Sequence, residues 1–234
     1  MTGATITLHH HADAGAFATV IAERLAGEIR TGLETRGKAS FAVPGGSTPG
    51  PVFDRLAASE IDWPRVTVTL TDERWVPTSD PASNEHLLRQ RLLAGKAQAM
   101  QLVGLHAATA MPSAAVEAVA DRLRRLPLPF DAVMLGMGGD GHFASLFPGM
   151  KALAEGLALD GKESCVASDA PINGQPRISL TLPVLLNTRL LLLAIRGADK
   201  LQVVDRAKTA SPLELPIAAV LRQARVPVEI HYTD

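Results

Sequence analysis

His142 stands in the run Leu135-Gly136-Met137-Gly138-Gly139-Asp140-Gly141-His142-Phe143-Ala144-Ser145-Leu146-Phe147-Pro148-Gly149. An imidazole has a reference pKa of about 6.5, which makes it the natural side chain to take and return a proton at neutral pH. Glycines before and after it allow tight turns that hold Asp140 and His142 towards a pocket. Gly136, Gly138 and Gly141 also satisfy the pattern G-x-G-x-x-G, so a dinucleotide loop has to be weighed. Such a loop opens a long helix, whereas Pro148-Gly149 would stop one here within two turns. It also calls for a ribose-binding acid at the next strand end, about 20 residues on. Asp160 has that distance, but Leu157 to Gly161 does not read as a strand end.

Three further groups of residues can meet an anion or move a proton. Val43-Pro44-Gly45-Gly46-Ser47-Thr48-Pro49 follows a strand-like run and opens a helical one. Gly45 and Gly46 let backbone approach a ligand, Ser47 and Thr48 add hydroxyls, and Pro49 suits the first helical position. The segment reads as a phosphate or carboxylate cradle or equally as a tight turn with a Ser/Thr cap, and it lacks the Gly-Lys-[Ser/Thr] of a Walker A loop. Thr71-Asp72-Glu73-Arg74-Trp75-Val76-Pro77 also follows a strand, and its acids and guanidinium suit proton transfer and anion orientation. In isolation that segment reads first as a solvated, salt-bridged turn; its position after the third strand, facing the first loop, favours the functional reading. Arg177 starts a strand-like run, and Lys200 opens a helix after a buried strand. A lysine there opposes the helix dipole, a cost that a bound anion reverses. His9, His10 and His11 form a cluster beside the first strand that reads first as a solvated strand end, with metal binding as the alternative.

These loops need a scaffold. Strand-like runs at Ala4 to Leu8, Ser40 to Val43, Val66 to Leu70, Ala132 to Leu135, Ser164 to Ala167, Ile178 to Leu180, Leu190 to Ile195 and Val228 to His231 alternate with helical ones. Helices are expected at Ala14 to Glu34, Pro49 to Ala58, from a Ser83 cap through Leu93, and from a Ser113 cap through Leu126. Two more are expected at Ala198 to Ala207 and Pro216 to Gln223. That order predicts βαβ units: one α/β domain over residues 1–234, a doubly wound, mostly parallel sheet with helices on both faces. Ligands of such sheets bind at the carboxyl ends of the strands, where these loops fall.

Composition narrows the function further. Of 234 residues, 23 are Lys or Arg and 24 Asp or Glu, a net charge of −1, which excludes a protein relying on general phosphate-backbone attraction. Aromatic residues are 4% with one Tyr, too few for a base-stacking platform. With 47% apolar and 20% charged residues the chain can bury a core. The longest aliphatic run, Leu190 to Ile195, is far short of the ~20 residues that span a bilayer. Met1 to His11 shows no secretory signal, and the single Cys165 excludes an internal disulfide and a cysteine zinc site. A cytoplasmic location is expected.

Taken together, Val43 to Pro49, Thr71 to Pro77, Ser83-Asn84-Glu85, Leu135 to Gly149, Arg177 to Thr181 and Gly197 to Lys200 resemble the 6-phosphogluconolactonase family. That family is a branch of the group that includes glucosamine-6-phosphate deaminase/isomerase. The matching segments keep the family's order over most of the chain, and the stretch from Leu135 to Gly149 is the most specific. The resemblance implies a Rossmann-like, deaminase-type fold, no cofactor, no metal in the site, and hydrolysis of 6-phospho-D-glucono-1,5-lactone to 6-phosphogluconate in the oxidative pentose phosphate pathway. It implies a phosphorylated sugar lactone as the only partner, with no nucleic acid, membrane or obligatory protein partner. Carried over, Gly45, Gly46, Ser47 and Thr48 line the pocket beside the phosphate, Arg177 and Lys200 bind it, and His142 is the general base. Asp72, Arg74 and Asp140 match other active-site positions, and either acid is a candidate to orient His142.

Two other functions belong to the same fold. A deaminase/isomerase shares the Asp-Gly-His loop but continues it to a glutamate before a proline, where this chain has Phe147-Pro148. A non-catalytic sugar-phosphate sensor would keep the phosphate loop, and here His142 is present with no length left for a DNA-binding module. A nucleotide-binding oxidoreductase rests on the glycine pattern alone.

Overall fold

The computed structural model describes residues 5–234. Its strands are β1 (Ile6–His10), β2 (Ala39–Val43), β3 (Val66–Leu70), β4 (Asp72–Arg74), β5 (Gln101–Val103), β6 (Ala132–Leu135), β7 (Cys165–Ile172), β8 (Gln175–Leu180), β9 (Leu191–Arg196) and β10 (Val228–Thr233). Its helices are α1 (Ala14–Arg36), α2 (Gly50–Ala57), α3 (Asn84–Arg91), α4 (Val116–Leu123), α5 (Leu153–Leu157), α6 (Leu182–Leu185), α7 (Ala198–Ala207) and α8 (Ile217–Leu221).

The central sheet has the order β1-β10-β9-β6-β2-β3-β5, and every pairing in it is parallel. From β2 the chain moves out through β3 to β5, and from β6 it moves the other way through β9 to β10. The winding therefore reverses between β2 and β6, which opens a crevice at their carboxyl ends. The loops after these two strands are Pro44 to Pro49 and Gly136 to Gly149. β2, β3 and β6 are buried at every residue, which is why their sequences are near-continuous in apolar and small residues.

α1 buries Phe17, Ile21, Leu25 and Ile29, a four-residue spacing that keeps one stripe against the sheet. Asp13 caps it by accepting the Ala16 N–H at 2.8 Å, and Gly37 ends it at φ 72°. Ser83 caps α3 by accepting the His86 N–H at 3.1 Å. Ser113 does not cap a helix: it lies inside a 3₁₀ turn, Pro112–Ala115, and bonds Asp169 instead, and α4 ends at Leu123. Pro49 stands one residue before α2 rather than at its first position. The first strand lies two residues later than expected, and Ala4, its expected start, is outside the described residues.

A second sheet, antiparallel and ordered β4-β8-β7, was not expected. One of its edge strands is the charged triplet Asp72-Glu73-Arg74, which reads as a turn in the sequence. Pairing with β8 sets Asp72 opposite Ser179 and Arg74 opposite Arg177. This small sheet hangs at the carboxyl end of β3 and forms one wall of the crevice. The glycine stretch after β6 opens no helix at all between Gly136 and Gly149, which removes the support for a dinucleotide loop.

Candidate active site

A cleft of about 250 Å³ lies at the crevice between β2 and β6. Its lining includes Pro44 to Pro49 from β2, Asp72 and Arg74 from β4, His142 from the β6 loop, Arg177 from β8, and Lys200 from α7. Nine of the ten expected site residues thus share one cleft. The tenth, Asp140, stands behind His142.

His142 is held by three contacts. Its Nδ1 lies 2.5 Å from Asp140 Oδ1, and its backbone N–H donates to the same oxygen at 3.2 Å. Its ring stacks on Phe147 with centroids 3.9 Å apart. A Cβ on Gly138 would come within 2.2 Å of the imidazole, so glycine is required for the ring to sit there. With Nδ1 engaged by Asp140, Nε2 is the nitrogen left for a proton in the cleft. Burial pushes the Asp140 carboxyl up, but its bond to His142 outweighs that and holds it below the ordinary range. Asp140 is therefore ionised at neutral pH. Of the two acids open to the role, Asp140 touches the imidazole.

Asp72 is engaged elsewhere. Its Oδ2 accepts the Ser145 hydroxyl at 2.5 Å, and its Oδ1 accepts from Thr71 Oγ1 at 3.2 Å. Arg177 Nη1 lies 3.9 Å from Asp72 Oδ2 and 3.4 Å from Ser145 Oγ, while its Nε donates to the Ile172 carbonyl at 3.0 Å. The guanidinium also sits over Phe147, 5.3 Å from the ring centroid. Burial lowers the Arg177 pKa and Asp72 opposes it; a guanidinium so placed stays charged. Phe147 thus carries the imidazole and packs against the cation. Arg74 Nη1 donates to the Ala82 carbonyl at 2.7 Å, and its buried Nε has no partner.

Glu73, between these two, faces away from the cleft and is fully buried. It accepts the backbone N–H groups of Arg74 and Asn84 at 2.7 Å and of Glu85 at 2.8 Å, and the Ser83 hydroxyl at 3.0 Å. Burial pushes its carboxyl up to about 7 against the pull of these donors. The side chain ties β4 to the start of α3 and so fixes Asn84.

Asn84 is a cleft residue that the list of candidates from sequence omits. Its Nδ2 donates to the Asp72 carbonyl at 2.9 Å, and its buried Oδ1 has no partner. A Cβ on Gly45 would lie 1.8 Å from that oxygen, which ties the glycine to the asparagine. Ser145, Phe147 and Arg196 were likewise not singled out as site residues. The first two stand in the glycine-rich stretch, and their signal was adjacency to His142. Lys200 Nζ lies 3.5 Å from Asp199, and a Cβ on Gly139 would meet it at 3.3 Å. The lysine therefore leans back across the glycine loop, over the mouth of the cleft.

A parallel doubly wound sheet with a histidine–carboxylate pair, a glycine-rich loop and cations at its crevice, Arg177 buried among them, describes an enzyme with an anion-binding site. The chain belongs to the family described as glucosamine-6-phosphate isomerases/6-phosphogluconolactonase, which matches residues 12–228. It is similar to the 6-phosphogluconolactonase of Caulobacter vibrioides, with 40% identity over 218 residues covering 90% of both chains. The crystal structure of a 6-phosphogluconolactonase from Shewanella baltica superposes with a TM-score of 0.94 at 35% identity, over 98% of each chain. A monomeric glucosamine-6-phosphate deaminase shares the fold, with a TM-score of 0.76 at 16% identity, over 96% of this chain and 97% of that one.

Proposed function

We propose that this protein hydrolyses 6-phospho-D-glucono-1,5-lactone to 6-phosphogluconate, as one lactonase domain over residues 1–234. The observation that carries the reading is the His142–Asp140 pair facing a cleft whose other walls are a glycine-hydroxyl loop and cations. His142 Nε2 takes a proton from water as it attacks the lactone carbonyl. The imidazolium, its Nδ1 held by Asp140, then returns a proton to the departing ring oxygen. Lactone opening needs an activated water and donors for the developing oxyanion, with no redox or group-transfer partner. Gly45, Gly46, Ser47 and Thr48 cradle the substrate phosphate with Arg177 and Lys200. Asp72 acts through Arg177 and Ser145 rather than on the imidazole, and Arg74 helps to orient the substrate. The unpartnered Asn84 Oδ1 suits a sugar hydroxyl. The reading carries a cytoplasmic location with it, consistent with the free, buried Cys165.

The deaminase reading has the weaker support. Its ring-opening glutamate corresponds here to Phe147, which lies flat against His142 and has no proton to move. The test is proton release from freshly generated lactone, corrected for spontaneous opening, beside ammonia release from glucosamine 6-phosphate. Rapid lactone turnover that collapses in His142→Ala, while phosphate-ligand binding persists, is expected. Ammonia release, or unchanged lactone turnover in that variant, would overturn the assignment.

A further inference from the structure

The histidine run His9-His10-His11 is not simply a solvated strand end. β1 pairs with β10 so that His9 stands opposite His231 and His10 opposite Tyr232. Alternation along the strand sends His10 to the face of Tyr232, where the two rings pack at 5.0 Å. His9 and His11 share the other face, under α1, and both stack against His231, with centroids 4.8 and 5.2 Å away. Glu229 lies two residues before His231 on the same face of β10.

His231 is 1% exposed, and its buried Nε2 has no hydrogen-bond partner among the described residues. A buried polar atom left unsatisfied is destabilising, so the arrangement calls for an occupant. The other ring nitrogen is already used: Nδ1 lies 3.0 Å from His11 Nε2. With the hydrogen on Nδ1, His231 donates to His11 and turns a lone pair at Nε2 towards Glu229 Oε2, 3.5 Å away. Ligand atoms about 2.0–2.1 Å from a tetrahedral ion are separated by roughly 3.3 Å, so this pair already has nearly the spacing of one edge. Among the described residues, His9, Glu229 and His231 are the one set of three whose ligand atoms lie within 4.8 Å of one another.

We propose that His9, Glu229 and His231 bind a divalent first-row transition ion of the zinc class, clasping the first strand to the last at the edge of the sheet. Two imidazoles and one carboxylate select zinc, cobalt, nickel or copper over calcium or magnesium, which take oxygen ligands. A fourth position is left for water. His11 is the outer partner that fixes the His231 tautomer, the relation commonly seen behind a ligating histidine. Arg24 donates to Glu229 at 3.1 Å and also pairs with Glu28. It aims the carboxylate and, as a cation, lowers the affinity of the site. His9, partly exposed, closes the triad by turning about its side-chain bonds. The site is separate from the cleft and asks nothing of His142.

The test uses the full-length protein stripped with a chelator and titrated with Zn²⁺ by calorimetry, with Co²⁺ absorption as the coordination probe. One bound ion per chain is expected, with a higher Tm and a tetrahedral Co²⁺ spectrum. His9→Ala, a change at a partly exposed position that leaves the core intact, should abolish the Tm gain. His11→Ala should weaken binding about 10- to 100-fold. His10→Ala, on the opposite face, should bind like the wild type. No binding, binding that survives both His9→Ala and Glu229→Gln, or binding lost in His142→Ala would each overturn the proposal.

Discussion

Replacing Gly138 by alanine probes the placement of His142, the proposed general base, without touching its chemistry. The new Cβ would lie 2.2 Å from both Nδ1 and Cε1 of His142 and 2.6 Å from Asp140 Oδ1. Real Cβ contacts of this kind need more than 3 Å, so the ring or the carboxylate must recede by about 1 Å. That shift breaks the 2.5 Å His142–Asp140 contact or lifts the imidazole from Phe147. A misplacement of about 1 Å at a reacting group costs on the order of 10²-fold in rate, near 2.7 kcal/mol of barrier. Gly138 does not have a positive φ, so alanine fits the backbone and the fold should survive with a Tm close to wild type. The expected kinetic signature is a fall of about 10²-fold in kcat with little change in KM. Gly139→Ala is the comparison: its Cβ meets only the mobile end of Lys200, at 3.3 Å, and kcat should stay near wild type. Combined with His142→Ala, the Gly138 change should add almost nothing, because both act through one group. Wild-type kcat in Gly138→Ala, or a full additional loss in the double variant, would refute the reasoning.

Three further outcomes follow from the same contacts. Lys200→Ala should raise KM more than it lowers kcat, since the phosphate is remote from the carbonyl; steady-state kinetics showing a pure kcat loss would contradict that role. Glu73→Gln sets an amide NH₂ against donors that now converge on both oxygens, and should cost about 1–3 kcal/mol in a urea titration. Burial pushes the Cys165 thiol up to about 12, so alkylation should be negligible in the native protein at pH 8 and rapid once urea unfolds it. Prompt native labelling at pH 8 would show that β7 opens freely.

The parallel sheet was legible because its strands are buried on both faces and its helices carry clear stripes. Val66–Leu70, Ala132–Leu135 and Ala198–Ala207 have the bounds their patterns predicted. The antiparallel sheet was illegible for the opposite reason. β4 is three charged residues, and nothing local in Asp72-Glu73-Arg74 distinguishes a strand from a salt-bridged turn; the pairing comes from β8, with Asp72 opposite Ser179 far along the chain. Ser113 misled because a serine before an apolar run has the look of a helix cap, while its real partner, Asp169, is distant in sequence and invisible to local pattern.

The same division separates the parts of the site. Residues that contact each other through a short loop, such as Asp140 and His142, could be paired from their spacing, although the choice between Asp140 and Asp72 needed coordinates. Asp72 meets Ser145 and Arg177 across gaps of 73 and over 100 residues, and no sequence period encodes such contacts. What the fold adds is a division of labour between two carboxylates. Asp140, with an imidazole as its partner, supports the proposed general base. Asp72, buried among a hydroxyl, an amide and a guanidinium, holds the opposite wall still. Removing Asp72 would leave Arg177 buried without its counter-charge and so disturb binding and stability together, whereas removing Asp140 should leave the wall intact and act on turnover. A protein in which Asp72→Asn lowered kcat alone, with KM and Tm unmoved, would require the two roles to be exchanged.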